Sequence, residues 1–379
     1  MGETPVIDLD HNATTKPLPE VIETMVAVMR DAYANPGSQH QLGRAARRVL
    51  ERSRETIAEI LDAEPDEICF TSGGTESTNL ALFGLARGQG TILTGPGEHL
   101  ATRETAGALA QRGWKWGEFP VDSVGRLIDP ESLLEATPAT RLVSCLLAHN
   151  ETGVIQEVGP LVGRCNALGI PTHLDAVQAV GKIPVSFREL GATAMSFAAH
   201  KFHGPRGIGG LVIRRGVRLG PLHFGGHQEE GRRPGTEAVP LIAGMTKALS
   251  LWHESADERL RQMEARRDFL EAELARECPP VEIHGAATAR LPNTASIAFP
   301  GLEGEALLVA LDLAGVACSL GSTCASGSAD PAPILLAMGV SRERALSTIR
   351  FSVGWETTEE EIQEAVRRIV TVVRRLRGV

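Results

Sequence analysis

The sequence predicts an α/β protein, with a largely parallel, doubly wound sheet in a large unit and a smaller α+β unit toward the C-terminus. Three observations carry this expectation. Short apolar runs alternate with helical segments from Glu67 to Ile213, and such alternation marks parallel strands joined by crossover helices. A single long helix, expected at about Pro240 to Arg276, then separates that region from the rest. Beyond it, strand and helix patterns mix within 103 residues of the chain's total of 379, a length that accommodates two units.

Taken in order, Val6 to Asp10 reads as an extended arm, closed by a turn through His11 and Pro17. Val21, Met25, Val28 and Met29 give Pro19 to Arg30 a helical apolar face, and Asn35-Pro36-Gly37 breaks the chain. Gly43 to Leu61 is a charged amphipathic helix with apolar Val49, Ile57, Ile60 and Leu61. Seven strands follow: Glu67–Thr71, Thr91–Thr94, Trp114–Phe119, Leu142–Leu147, Pro171–Leu174, Ala194–Phe197 and Leu211–Ile213. The C-terminal unit holds strands at Val281–Ile283, Ala295–Phe299 and Thr348–Ser352, and helices at Gly304–Leu313 and Thr358–Leu376. We expect residues 17–255 to form the large unit, and residues 1–16 with 256–379 the small one.

Composition narrows the function. Charged residues make up 22% and hydrophobic ones 42%, an ordinary soluble balance. A net charge of −9 argues against nucleic acid held by bulk electrostatics. No apolar run is long enough for a bilayer, and no basic-then-apolar leader opens the chain, so no membrane is expected. The six cysteines form no Cys-x-x-Cys pair and no zinc-ligand spacing; Cys69 and Cys145 sit in apolar runs as core residues. A reducing, cytoplasmic setting is expected.

The chemistry centres on Ser196-Phe197-Ala198-Ala199-His200-Lys201, an apolar run ending in a His-Lys pair before a glycine-rich loop. A lysine at the mouth of a packed sheet loses solvation, which favours its neutral, nucleophilic form. Such an amine forms Schiff bases with carbonyl compounds, pyridoxal phosphate foremost; a surface lysine beside a turn is the plainer alternative. Other strand ends offer companions. Gly73, Gly74 and Thr75 can open a helix whose free N–H groups bind phosphate, or merely cap it. Asp175 can hold a pyridinium proton with Gln178 three residues on, or cap a turn. His99 can lie on an aromatic ring or face solvent. Asn150 can bond a ring oxygen or sit in an ordinary turn. Arg350, among apolar neighbours on a strand, needs an anion: a substrate carboxylate or a structural acid. Cys324 lies in a small, polar stretch from Gly321 to Pro331 that is expected to be mobile, where an exposed thiol can ionise and swing.

With these residues together, the chain resembles the cysteine desulfurases of the NifS/IscS-like group. These are class V aminotransferase family members of the fold-type I pyridoxal-phosphate enzymes. The resemblance rests on Asp10-x-x-Ala13-Thr14-Thr15, Asn35-Pro36, Gly73-x-Thr75-Glu76-Ser77, Glu98-His99, Asn150-Glu151-x-Gly153 and Asp175-x-x-Gln178. It continues through His200-Lys201, Arg233-x-Gly235-Thr236, the Cys324 loop and Ile349-Arg350-Phe351. It implies that Lys201 carries pyridoxal phosphate covalently and that Gly74, Thr75 and His200 bind the phosphate. Thr236 would do so from a partner subunit, making a homodimer. Asp175 would meet the ring nitrogen, Gln178 and Asn150 the ring-oxygen side, and His99 the ring face. Arg350, with Asn150, would hold the carboxylate of L-cysteine. Cys324 would take the sulfur as a persulfide, release L-alanine, and pass sulfur to an acceptor such as an iron–sulfur scaffold or a tRNA-thiolation enzyme. Ligation of an iron–sulfur cluster by Cys324 is left open.

The chain departs from the family pattern in places. Ala198 stands where a hydroxyl residue is usual, which puts one phosphate contact in doubt. His227 replaces a usual glycine, Pro234 a serine and Thr323 an alanine. The chain ends soon after Leu376, without a scaffold-docking tail, while the long loop after Cys324 favours the NifS/IscS-like group over the SufS-like one. Competing readings are another class V enzyme, such as an aminotransferase or selenocysteine lyase, and a catalytically silent docking subunit.

Overall fold

The computed structural model describes residues 5–320 and 330–378. Its strands are β1 (Ile7–Asp8), β2 (Ile68–Thr71), β3 (Thr91–Thr94), β4 (Lys115–Glu118), β5 (Thr140–Leu146), β6 (Thr172–Asp175) and β7 (Ala194–Ala198). They continue with β8 (Gly209–Ile213), β9 (Glu282–Ile283), β10 (Thr294–Ala298), β11 (Val316–Ala317), β12 (Ser319–Leu320) and β13 (Thr348–Ser352). Among the described residues, seven of them make one sheet in the order β2-β8-β7-β6-β5-β3-β4. β8 runs antiparallel to both β2 and β7, and the other pairings are parallel. All seven expected strands are present, each within two residues of its expected ends.

These central strands read as continuous apolar runs because both sheet faces are covered by helices. Every residue of β2, β3, β6, β7 and β8 is buried. The β7–β8 pair is close enough to require glycine: a Cβ on Gly210 would lie 2.3 Å from Phe197 Cζ. Phe197, with no exposed surface, belongs to the larger core, with Leu50, Ile57, Val212 and Ile242. On the other face, Leu80, Leu82, Ile92, Leu142 and Leu211 form a second cluster around the helix Gly74–Leu85.

A second sheet, β12-β13-β10-β9, is antiparallel throughout. Ile297, Phe299, Ile349 and Phe351 pack there against Leu270, Leu307 and Ile369 in a separate core. The N-terminal arm joins this core. β1 pairs in parallel with β11, Asp10 bridges to Ser352, and Ile7 and Leu9 are buried in the same cluster.

One expectation fails. The stretch 240–276 is two helices, Val239–His253 and Ala256–Glu277. Ser255 has a non-helical φ of −136°, and Asp257 and Glu258 fill the first turn of the second helix. Ser followed by acids is a start signal, overlooked because the apolar spacing runs through it.

Phe197→Ala is expected to lower the urea-unfolding midpoint, at a cost of about 3–5 kcal/mol, since a buried aromatic leaves a cavity that close-packed neighbours fill poorly.

Candidate active site

The parallel strands of the large sheet present their C-terminal ends along one edge. There the chain leaves β2 for Gly73–Thr75, β3 for His99, β5 for Asn150, β6 at Asp175 and β7 for His200-Lys201. Open α/β sheets bind ligands at this edge because only loops and helix starts, free of ladder pairing, converge on it. A cavity of about 380 Å³ lies over it, lined by Gly74, Thr75, His99, Asn150, Asp175, Gln178, His200, Lys201 and Arg350. The fold thus brings together nine residues singled out from sequence.

Lys201 follows β7 in a short 3-10 turn. Its Nζ donates to the backbone oxygens of Asn12 at 2.7 Å and Ala13 at 2.8 Å, so the N-terminal arm holds it. Burial, and then the Arg350 charge, lower its pKa to about 8; Asp175, Asp10 and Glu151 pull the other way. The amine is therefore partly neutral near physiological pH. Next to it, burial drops the His200 pKa to about 4, so that ring is uncharged at neutral pH. Its Nδ1 lies 3.2 Å from Thr14 Oγ1.

Asp175 ends β6 and is 3% exposed. Burial raises its proton affinity, opposed by His99 and Lys201. Its Oδ1 accepts from the Val177 N–H at 3.0 Å. Gln178 lies in the turn that follows, not on a helix, and its Nε2 donates to Asn12 O at 3.0 Å. His99 caps the helix Leu100–Gln111, with Nδ1 accepting from Ala101 N at 3.1 Å. This assigns its proton to Nε2 in the neutral ring, which is exposed in the cavity.

The helix Gly74–Leu85 starts at the cavity with Gly73 at φ 152°, a left-handed-side geometry that glycine permits. Its first N–H groups have no intrahelical partner, and the helix dipole favours an anion there. A Cβ on Gly74 would come 2.8 Å from Val177 Cγ2, so only glycine fits the cradle. Ala198 also lines the cavity and brings no hydroxyl to it. A buried acid, an amine, a flat ring and a helix-start cradle fit a phosphorylated pyridine aldehyde.

Arg350 on β13 reaches in from the small sheet. Its Nη2 donates to Asp10 Oδ1 and its Nη1 to Glu151 Oε1, each at 2.9 Å. It is thus ion-paired to two acids of its own chain. Thr236 lies outside the cavity, exposed before the helix Val239–His253. Arg233 Nε, 2.8 Å from Glu76 Oε1, ties its loop to the helix start. Cys324 falls outside the described residues, as do residues 321–329 of the stretch expected to be mobile around it. Leu320 and Asp330 flank that stretch. They line a second cavity of about 480 Å³ that shares Ala13, His99, Asn150 and Arg350 with the first.

Sequence reasoning gave no role to Asn12 and Lys182. Asn12 Oδ1 accepts from Lys182 Nζ at 2.7 Å and Asn293 Nδ2 at 3.0 Å, while its Nδ2 donates to Asn150 O and Thr294 Oγ1. Lys182 Nζ also donates to Gln178 Oε1, which turns the Gln178 amide so that its N–H groups face Asn12. Burial drives the Lys182 pKa well down. The one sequence signal was a lysine four residues after Gln178 in an otherwise apolar stretch.

The profile of the aminotransferase class-V family matches residues 7–365. A cysteine desulfurase IscS of Dictyoglomus turgidum is 39% identical over 376 residues, which cover 98% of this chain and 95% of that protein. The cysteine desulfurase NifS of Azotobacter vinelandii is 38% identical over 375 residues, covering 98% and 93%. A crystal structure of a NifS-like protein from Rickettsia africae superposes with a TM-score of 0.88 at 31% identity, over 99% of this chain and all of that one. The chain belongs to the class-V aminotransferase family, among its NifS- and IscS-like members.

Proposed function

We infer that the protein is a pyridoxal-phosphate-dependent cysteine desulfurase, converting L-cysteine to L-alanine and leaving the sulfur on Cys324 as a persulfide. The observation that carries this is the meeting of Lys201, Asp175, the glycine-started helix and Arg350 around one cavity, beside the two ends of the Cys324 segment. This reading takes residues 17–255 as the unit that holds the cofactor. It takes residues 1–16 and 256–379 as the unit that brings the thiol and Arg350.

When bound, pyridoxal phosphate supplies an electron sink that lets the substrate lose its α-proton and then its sulfur. The chain's own residues do the rest. Lys201 would hold the cofactor's aldehyde carbon, and its amine is placed to move the substrate's α-proton. Its lowered pKa suits that exchange. Asp175 would keep a proton on the ring nitrogen. Gly74, Thr75 and His200 would hold the phosphate, His99 would cover the ring, and Gln178 and Asn150 would bond its oxygen side. Arg350 and Asn150 orient the substrate carboxylate, and His99 serves the proton traffic beside the ring. Leu320 lines the adjoining cavity, and Cys324 follows it by four residues in the sequence. Its thiolate bonds to the substrate sulfur as the carbon–sulfur bond breaks, so no external oxidant or reductant is needed.

We assign the working form as a homodimer in which Thr236 completes the partner's phosphate site. Its exposure away from its own cavity supports this, as do Ile22, Val26, Met29 and Tyr33, an exposed apolar stripe on the helix Pro19–Asp31 and just past it. The persulfide sulfur goes to a protein acceptor, in iron–sulfur cluster assembly or tRNA thiolation. No helix among the described residues is long and apolar enough to cross a membrane. The free cysteines suit a reducing cytoplasm.

Borohydride reduction followed by peptide mapping is expected to find the pyridoxyl group on Lys201; an unmodified Lys201 would sink the reading. Cys324→Ala is expected to abolish sulfide release from L-cysteine while retaining the cofactor's visible absorbance. Full sulfide release by that variant would instead favour another class V activity. Because combination with the aldehyde needs the neutral amine, the rate at which apoprotein takes up pyridoxal phosphate should rise with pH and level off above about 8. A rise continuing to the ordinary lysine range would contradict the burial argument.

A further inference from the structure

The substrate seat assigned above is already in use. Glu151 Oε1 accepts from both of its donors, Arg350 Nη1 at 2.9 Å and Asn150 Nδ2 at 2.6 Å. Glu151 Oε2 is buried and accepts no hydrogen bond among the described residues. The second acid, Asp10, takes Arg350 Nη2 and also accepts from Ser319 Oγ at 2.9 Å. Among the described residues, one guanidinium therefore faces two carboxylates before any substrate arrives.

We propose that Glu151 is a built-in occupant of the substrate-carboxylate seat, displaced when substrate binds and taking up one proton as it leaves. The proposal rests on the reading of Arg350 and Asn150 as that seat. Its basis is a count of charges and donors. A substrate carboxylate would be the third anion around one guanidinium, and carboxylates crowded into one low-dielectric site share a proton rather than all ionise. Glu151 is the one to take it. Its side chain is 12% exposed against 24% for Asp10, and without Arg350 and Asn150 it keeps no side-chain donor, whereas Asp10 keeps Ser319. The groups facing Glu151 are Arg350 from β13, Asp10 from the arm, Lys201 after β7, and His149, whose Nδ1 accepts the Glu151 N–H. Burial raises the proton affinity of Glu151, and Arg350 is the main group holding it down, so removing that contact frees the carboxyl to protonate.

The seat is thereby selective. An incoming anion must satisfy both donors in one plane to repay the loss of an internal partner, so small anions that reach only one donor are turned away.

The test uses the holoenzyme and 3-mercaptopropionate, which has the carboxylate and thiol of the substrate but no amine to react with the cofactor. Calorimetry between pH 6 and 7.5, in buffers of different ionisation enthalpy, counts protons on binding. The wild type is expected to take up about one proton per ligand, so that affinity falls about tenfold for each unit of rising pH. Glu151→Gln is expected to bind more tightly at pH 7.5, with no proton uptake and a flat pH profile. Glu151→Ala serves as the second variant should the glutamine reorient. Zero proton uptake by the wild type, or undiminished uptake by both variants, overturns the proposal. Arg350→Lys separates the two levels. Unchanged affinity in that variant would remove the seat itself; weakened affinity there, with wild-type behaviour in both Glu151 variants, would remove only the displaced acid.

Discussion

The site turns on one amine kept out of water beside a fixed positive charge. Lys201 would carry a proton at neutral pH on any exposed loop, but burial and Arg350 weaken that proton and three acids partly restore it. The surrounding structure exists to maintain this balance. The parallel sheet brings the lysine to the edge where loops converge. The arm supplies two carbonyl oxygens that fix its position without adding a full negative charge. The small sheet delivers the guanidinium from the opposite side. Each contribution comes from a different part of the chain, so the amine reports on the assembly of the whole fold.

Much of the architecture was legible because buried parallel strands leave an unmistakable trace. Cys69-Phe70, Ile92-Leu93 and Met195-Ser196-Phe197 are apolar or small on both faces, and the polar residues that matter follow directly at their C-terminal ends. The cavity lining was legible for the same reason: Asp175 and Lys201 stand out only because they follow such runs. The helix break at Ser255 was hidden, since a start signal inside a long charged helix does not disturb its apolar spacing. Asn12 and Lys182 were hidden for a different reason. Their partners are 138 to 282 residues away in the case of Asn12, and no local pattern marks a side chain whose function is to orient another. Arg350 was half legible: its need for an anion showed, but not that Asp10 and Glu151 already meet it.

Ala198 departs from the family pattern at a position where the backbone supplies donors of its own. The residue lines the cavity but offers no donor, and the cradle beside it is built from backbone at the start of the helix Gly74–Leu85. Backbone N–H groups do not depend on side-chain identity, so the helix start keeps its attraction for an anion whatever residue stands at position 198. The requirement for glycine at position 74 is stricter, because Val177 occupies the space a side chain would need.

The arm that holds Lys201 is also the first described part of the chain to be synthesised. Its β1 strand pairs with Val316 and Ala317, its Asp10 with Ser352, and its Asn12 with Thr294. None of these partners has left the ribosome while the large sheet is being made. Until they are made, the arm has its bonds to Gln178, Lys182, His200 and His203 of the large unit, but neither its strand partner nor the guanidinium of Arg350. Closure over more than 300 residues adds little entropic cost beyond that of a shorter loop, but it comes last in time. Catalytic competence is thereby tied to completion of the C-terminal strands, and a truncated chain could fold its large sheet yet never assemble a working centre.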